Sequence, residues 1–165
     1  MRTNRVLALF FLFLLFSGCT MPGAIRGSRA QRIAAEVKKA GNIKNLSAVP
    51  GQEAQQIYAM EDGEIFAALY GLEDCAEMCA YLADNAMHVD EIAIFTCEND
   101  AQLDKAKLAV AQRLYAQMER YKDVSDMLYQ RLADARYGVS GKYYYLIVAR
   151  AECADAAEKR VLEFG

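Results

Sequence analysis

Three polar residues, His88, Asp90 and Glu91, directly precede a strongly apolar stretch and are the best candidates for chemistry in the sequence. His88 is the only histidine of the chain, so a catalytic triad or a histidine-containing metal site would have to use it. Paired carboxylates can perform acid and base work when both face one scissile bond. Adjacent residues at the start of a strand point to opposite faces, which is poor geometry for that reaction. We therefore predict no catalytic residues, no metal site and no cofactor, and we keep the three residues as a candidate polar site.

The five cysteines fall into one residue near the N-terminus, Cys19, and a group of four. Cys75 and Cys79 have three residues between them, which does not fit the two-residue spacing of zinc knuckles or thioredoxin-like motifs. The even number of the group allows up to two disulfides, whereas the apolar neighbours of each cysteine favour buried thiols. The sequence leaves both alternatives open for Cys75, Cys79, Cys97 and Cys153.

Tyrosine is the notable aromatic residue, since the chain has ten tyrosines and no tryptophan. Tyr143, Tyr144 and Tyr145 are consecutive in the most strand-like run, so Tyr143 and Tyr145 share one face and Tyr144 lies on the other. One face is expected to belong to the core. If helices leave the other face uncovered, these tyrosines form an interaction surface, because tyrosine offers a large contact area at low entropic cost. The alternative is ordinary packing of an amphipathic strand.

The elements that must position these residues follow from apolar spacing and from helix-capping residues. Spacing near 3.6 residues predicts helices from Arg29 to about Ala40, in two short pieces between Glu53 and Tyr70, from Asn99 or Asp100 to about Tyr121, from Asp123 through Arg131, and from Glu152 to Phe164. Short apolar or alternating runs predict strands at Cys75 to Leu82, Glu91 to Cys97, Leu132 to Tyr137 and Lys142 to Ala149, the last two joined by a turn at Gly138 to Gly141.

Hairpin-joined strands with helices between and after them predict the fold class. We expect an α+β protein, a two-layer sandwich in which helices pack on one face of a mostly antiparallel sheet of about four strands. The length of 165 residues suits one such domain, predicted to span residues 28–165. Of the 19 basic residues, Arg2 and Arg5 lie at the extreme N-terminus, so the domain itself is acidic. We therefore exclude nucleic acid as a partner, because phosphate neutralisation needs clustered basic residues.

The N-terminus has the features of an export signal. Arg2 and Arg5 supply positive charge, and residues 6–16 form an unbroken apolar run that is short for a stable membrane span. This run ends at Ser17, Gly18 and Cys19, which resembles the lipobox of bacterial lipoproteins, although Phe16 replaces the usual aliphatic residue. The resemblance implies that residues 1–18 are a signal peptide, that Cys19 is lipidated, and that residues 19–27 form a tether. The alternatives are an ordinary cleaved signal or an uncleaved anchor.

A second resemblance covers the chain from roughly Ile33 to Phe164. The Tyr70-Gly71-Leu72 element, the Asp90-Glu91-Ile92 segment that opens a strand, and the hairpin from Gly141 to Tyr144 resemble a family of small lipoproteins from Gram-positive bacteria, catalogued as domain-of-unknown-function family 4358. Lys142 and the four cysteines depart from that pattern. The resemblance implies a lipid-anchored domain outside the cytoplasmic membrane, and it supplies no catalytic residues.

These features together predict a lipoprotein held on the extracytoplasmic face of the cell membrane by acyl chains on Cys19. Its expected role is that of a non-enzymatic module that contacts an envelope protein or a wall polymer. A small-ligand-binding lipoprotein is the alternative, although the chain is short for a two-lobed solute receptor. A hydrolase that acts on the cell wall, using His88, Asp90 or Glu91, comes third.

Overall fold

The computed structural model of the protein describes residues 28–44, 46–47, 69–72, 77–83 and 87–165. Several predicted features lie outside the described residues. They are the signal peptide, Cys19, the tether, nearly all of the predicted helical stretch from Glu53 to Tyr70, and Cys75. The described elements are, in chain order, α1 (Arg29–Ala40), β1 (Leu46–Ser47), β2 (Glu77–Ala83), β3 (Glu91–Thr96), α2 (Asp100–Tyr121), α3 (Asp126–Ala133), β4 (Arg136–Ser140), β5 (Tyr143–Val148) and α4 (Ala151–Leu162).

The strands form one sheet in the order β1-β2-β3-β5-β4, and every neighbouring pair is antiparallel. Four strands have five residues or more, and β1 adds a two-residue edge beside β2. The prediction of an α+β fold on an antiparallel sheet of about four strands is therefore confirmed. The central strands β3 and β5 are buried along their whole length.

Helices pack on both faces of this sheet, which corrects the expected two-layer sandwich with helices on one face. Ile92, Ile94 and Ile147 point towards α1 and α4 and form the α1/α4 core with Val37 and Val161. The alternate residues of the same strands form the α2/α3 core on the opposite face, which includes Ala93, Phe95, Leu146, Val110 and Leu132. Strands with apolar residues on both faces have two faces to bury, so a single helical layer would leave one of them in water.

Local signals set most helix ends. The Ser28 hydroxyl accepts a hydrogen bond from the Gln31 amide, and the Gln31 side chain accepts one from the Ser28 amide, which makes the capping box that starts α1. Asn99 caps α2 as expected. The predicted start of α3 at Asp123 is too early, because Ser125 is the N-cap residue.

The predicted strand from Leu132 to Tyr137 is displaced in the structure. Helix α3 continues to Ala133 because Leu128 and Leu132, one helical turn apart, both pack in the α2/α3 core. Strand β4 then runs to Ser140, and Gly141 and Lys142 alone form the loop to β5. Gly141 has a φ of +56°, a conformation that glycine adopts without the strain imposed by a Cβ atom.

Candidate functional site

The predicted polar site lies where β3 begins beneath α2 and α3. Glu91 is the first residue of β3, and its side chain is only 4% exposed. Arg113 of α2 donates from Nε to Glu91 Oε1 at 2.6 Å and from Nη2 to Oε2 at 2.8 Å. Tyr70 donates its hydroxyl hydrogen to the same Oε1. The carboxylate therefore accepts three hydrogen bonds within a buried cluster, which we call the Glu91 cluster: Tyr70, Glu91 and Arg113.

The three members of the Glu91 cluster also pack closely on one another. The Arg113 guanidinium lies 5.1 Å from the centroid of the Tyr70 ring, in cation–π contact. The edge of the Tyr70 ring meets Phe95 at a centroid distance of 5.2 Å, which connects the cluster to the α2/α3 core. Arg113 is paired in the fork geometry in which a guanidinium binds a carboxylate most strongly. The cluster thus fixes the Tyr70 segment, the start of β3 and the middle of α2 against one another.

Asp90 forms a second ion pair beside this cluster. Arg131 of α3 donates from Nη1 to both carboxylate oxygens of Asp90 at 3.2 Å, and both side chains are largely buried. His88 Nδ1 is 4.0 Å from Asp90 Oδ2, too far for a hydrogen bond, and its side chain is 40% exposed. Asp90 and Glu91 were expected to point to opposite faces, but both pair with arginines of the α2/α3 layer. Side chains alternate between the two faces only within a strand, and Asp90 lies one residue before β3 begins.

The electrostatics of the Glu91 cluster favour a neutral Tyr70 and a charged Arg113. Burial raises the pKa of the Tyr70 phenol well above its ordinary value, and the charge of Glu91 raises it further. Burial of the Arg113 guanidinium lowers its pKa, but the charge of Glu91 and the hydrogen bonds of the cluster outweigh this effect, so that the pKa of Arg113 is raised overall. Tyr70 therefore remains a neutral donor and Arg113 a cation. This arrangement holds the charges in place, because both carboxylate oxygens of Glu91 accept hydrogen bonds within the cluster.

The raised pKa of Tyr70 predicts how stability depends on alkaline pH. The unfolded chain releases the Tyr70 proton near the ordinary value of 10.0, whereas the folded chain retains it. The free energy of unfolding must therefore fall as the pH rises through that range. We expect this decline to be shallower in Tyr70→Phe than in the unmodified chain, measured by urea unfolding between about pH 9 and 11. Equal slopes in the two proteins would contradict the burial of an un-ionised Tyr70.

The three consecutive tyrosines lie in the core, so they do not form the exposed interaction surface that the sequence allowed. Tyr143, Tyr144 and Tyr145 are 1%, 5% and 3% exposed. Tyr143 and Tyr145 pack under α1 and α4, while Tyr144 packs in the α2/α3 core. The Tyr145 hydroxyl donates to Glu158 Oε1 of α4 at 2.8 Å. Because helices cover both faces of β5, ordinary strand packing accounts for the run.

The cysteines within the described residues behave as small side chains. Cys79 and Cys97 are buried, and Cys153 of α4 is partly exposed. Burial raises the pKa of the Cys97 thiol, which favours the unreactive protonated form. Cys97 and Cys153 are free thiols. In the part of the chain that the structure describes, no group of three or more His, Cys, Asp or Glu residues has an arrangement that could hold a metal ion.

A shallow groove of about 260 Å³ adjoins the Glu91 cluster. The Tyr70-Gly71-Leu72 segment forms one wall, and Lys105, Leu108 and Gln112 of α2 contribute to the other. Leu108 is 59% exposed, so the apolar part of this wall faces water. The groove is smaller than the range of roughly 300–1,000 Å³ that is typical of small-molecule pockets.

Tyr70, Arg113 and Arg131 are the members of the site that sequence reasoning missed. Arg113 follows Val110 by three residues and Ala106 by seven, so it lies on the buried stripe of α2. A charged residue on such a stripe needs a buried partner of opposite charge, and this signal could have paired Arg113 with a carboxylate. No comparable signal identifies Tyr70, which meets Glu91 only through the tertiary fold.

Within the described residues, no helix combines the length and the apolar character that a membrane crossing needs. No curated protein and no solved structure matches the chain significantly. The profile of one family, described as Domain of unknown function (DUF4358), matches residues 53–149, which is more than half of the chain. The match includes the Tyr70 segment, β2, β3, α2, α3 and the β4–β5 hairpin, and therefore the whole Glu91 cluster. The chain thus belongs to the family described as Domain of unknown function (DUF4358).

Proposed function

We propose that the protein is a lipid-anchored extracytoplasmic module that binds another component of the cell envelope and carries out no reaction of its own. The observation that carries the non-enzymatic part is the pairing of both candidate carboxylates with arginines. Glu91 is held by Arg113 and Tyr70, and Asp90 by Arg131. A general acid or nucleophile has to reach a substrate, whereas these oxygens are occupied by partners in a largely buried site. The role of these ion pairs is structural, because they hold α2 and α3 to the start of β3.

The location is supported by the sequence that ends at Cys19. An apolar run of signal-peptide length with basic residues before it is followed by Ser17, Gly18 and Cys19. A diacylglyceryl group on the Cys19 thiol would bind the membrane through the burial of its acyl chains, without any basic surface on the domain. This agrees with the chain's net charge of −3, which offers anionic headgroups no general attraction.

The anchor is tested by metabolic labelling of the full chain with an alkyne-bearing fatty acid. We expect label on the unmodified protein and none on Cys19→Ala, because the thiol is the only attachment point that the proposal allows. Cys153→Ala is the matched control and should keep the label, since it removes a partly exposed thiol elsewhere in the chain. An unlabelled native protein, or equal labelling of Cys19→Ala, would refute the anchor.

The binding role is tested by crosslinking in cells followed by mass spectrometry. We expect a discrete envelope protein or wall polymer to be recovered with the native chain and to be lost with Cys19→Ala, which is not held at the membrane. Recovery of the same background from both would count against a binding module at the membrane.

The other two functions have less support. The groove beside Tyr70 favours a small-ligand-binding lipoprotein, but its volume of about 260 Å³ is below the usual range for such sites. A cell-wall hydrolase would need Asp90 or Glu91 released from its arginine. Substrate binding would then have to replace a buried, bidentate ion pair, which is energetically costly.

A further inference from the structure

The charged residues of the chain are unevenly distributed. From Ser28 to Lys44, a segment that contains α1, there are five basic residues and one acidic residue. The chain after Lys44 has 11 basic and 21 acidic residues. In the net charge of −3, a basic α1 segment is therefore outweighed by an acidic remainder, and the two parts respond in opposite ways to a charged surface.

Helix α1 buries one side and exposes a basic one. Arg32 and Lys39 are both exposed and are seven residues apart, so they lie about two helical turns from each other on the same side. Arg29 is exposed one turn before Arg32. We call these three residues the α1 basic face. The opposite side of the helix packs in the α1/α4 core through Ala30, Ile33, Ala34 and Val37.

The cations of the α1 basic face have no acidic partner among the described residues, where no ion pair includes Arg29, Arg32 or Lys39. Glu36 is the one acidic residue of α1, and it pairs with Arg160 of α4 at 3.3 Å. Lys38 is turned away from the face, since it donates to the Leu46 carbonyl. The α1 basic face therefore keeps a net positive charge that the described part of the domain does not neutralise.

This face also lies close to the predicted anchor along the chain. Ser28, the N-cap residue of α1, follows Cys19 by nine residues. Nine residues span at most about 30 Å even when fully extended. A lipid on Cys19 would thus hold the start of α1 within that distance of the headgroups, where the tether makes their effective concentration high.

We propose that the α1 basic face lies against the anionic headgroups of the membrane that holds Cys19. This inference rests on the proposed lipid anchor and adds an orientation to it. Basic residues near an anionic leaflet are attracted to it, whereas the acidic remainder of the chain is repelled. Because α1 and α2/α3 pack on opposite faces of the sheet, this orientation turns the α2/α3 layer away from the bilayer. That layer is then the one presented to other components of the envelope.

The test compares the distances of the two helical layers from the bilayer by energy transfer. The lipidated chain is reconstituted in vesicles of phosphatidylcholine, or of equal parts phosphatidylcholine and phosphatidylglycerol, with an acceptor dye on a lipid headgroup. The donor dye is attached either at Ala35→Cys, on the exposed side of α1, or at Val124→Cys, in the exposed turn between α2 and α3. Both chains also carry Cys75→Ala and Cys153→Ala, so that the other described cysteines, which are buried, are not labelled.

The lipid composition and the salt concentration separate electrostatic orientation from simple tethering. In the vesicles with phosphatidylglycerol, we expect more transfer from position 35 than from position 124. The transfer from position 35 should fall in phosphatidylcholine alone. It should also fall in about 1 M salt, where charges are screened beyond about 3 Å.

Two charge variants identify the face that is attracted. Arg32→Glu/Lys39→Glu should lower the ratio of membrane-facing to freely oriented domains by at least about 30-fold, because basic residues near an anionic surface contribute about 1 kcal/mol each. Arg32→Gln/Lys39→Gln, which keeps long side chains that favour a helix, should give part of the same loss. Lys105→Glu/Lys107→Glu is the matched control, since it makes the same change in net charge at exposed positions of α2 and should not lower the transfer.

Equal transfer from the two dye positions, or the same transfer from position 35 in neutral and anionic vesicles, would overturn the orientation. An equal loss in Lys105→Glu/Lys107→Glu would also overturn it, because the attraction would then not reside in the α1 basic face. Flotation of the vesicles reports the anchor separately. A chain that floats with neither kind of vesicle would overturn the anchor at Cys19 together with this inference, whereas a chain that floats without a preferred orientation would overturn the inference alone.

Discussion

Replacement of Arg113 by methionine is expected to lower the free energy of unfolding by about 3–5 kcal/mol, which is the usual cost of leaving a buried charge without its partner. Methionine keeps much of the apolar stem of Arg113 but removes both hydrogen bonds to Glu91. Among the described residues, only the Tyr70 hydroxyl would then still donate to the Glu91 side chain, which is 4% exposed. Urea unfolding at neutral pH, followed by circular dichroism, measures the change.

Two further variants separate the charge from the packing. The double variant Glu91→Leu/Arg113→Met removes both charges, and we expect it to be clearly more stable than Arg113→Met alone, because an apolar pair needs no solvation. Tyr70→Phe should cost about 1.5–3 kcal/mol near neutral pH, the net contribution of one hydrogen bond to a charged group. A loss below about 1 kcal/mol in Arg113→Met would contradict the buried ion pair.

Substitution of two neighbouring residues of β5 tests the packing of helices on both faces. Leu146 and Ile147 are both fully buried, Leu146 in the α2/α3 core and Ile147 in the α1/α4 core. We expect Leu146→Ala and Ile147→Ala each to lower the free energy of unfolding by about 2–5 kcal/mol, because each leaves a cavity in a packed core. The measurement is again urea unfolding at neutral pH.

The comparison between these two positions distinguishes three layers from two. In a two-layer sandwich one of the residues would face water, and its replacement would be almost neutral. Val139→Ala is a matched control on the neighbouring strand, since Val139 is 47% exposed and its truncation should have a small effect. A large loss at only one of Leu146 and Ile147 would refute the observed layering.

Sequence patterns alone determined the class of the fold and the position of most elements. The alternation of Ile92 and Ile94 with Ala93 and Phe95 identified β3, and the 3.6-residue spacing along α2 identified the longest helix together with its cap at Asn99. These signals are local, because the apolar periodicity of a strand or helix is visible in its own residues. The short motifs around Tyr70, Glu91 and the β4–β5 hairpin are local in the same sense, and they were enough to indicate the family.

The layering was decided by tertiary structure. The residues of β3 and β5 are apolar on both faces, and such a run is equally consistent with one partner layer and an exposed patch or with two partner layers. Only the placement of α1 and α4 opposite α2 and α3 resolved this ambiguity and buried Tyr143, Tyr144 and Tyr145. Leu132 likewise belongs to a helix because Leu128 and Leu132 meet a core that distant residues form.

In the polar site too, the sequence determined some features and the tertiary structure determined the others. The sequence singled out Asp90 and Glu91 because carboxylates before an apolar strand are unusual, but the arginine partners of Glu91 and Asp90 lie 22 and 41 residues further along the chain. A carboxylate is a reactive group or one half of an ion pair, depending on which cation the fold places beside it. The local sequence pattern does not predict which cation that is. The sequence determined which side chains need a partner, and the packing of α2 and α3 on the sheet determined that Arg113 and Arg131 are those partners.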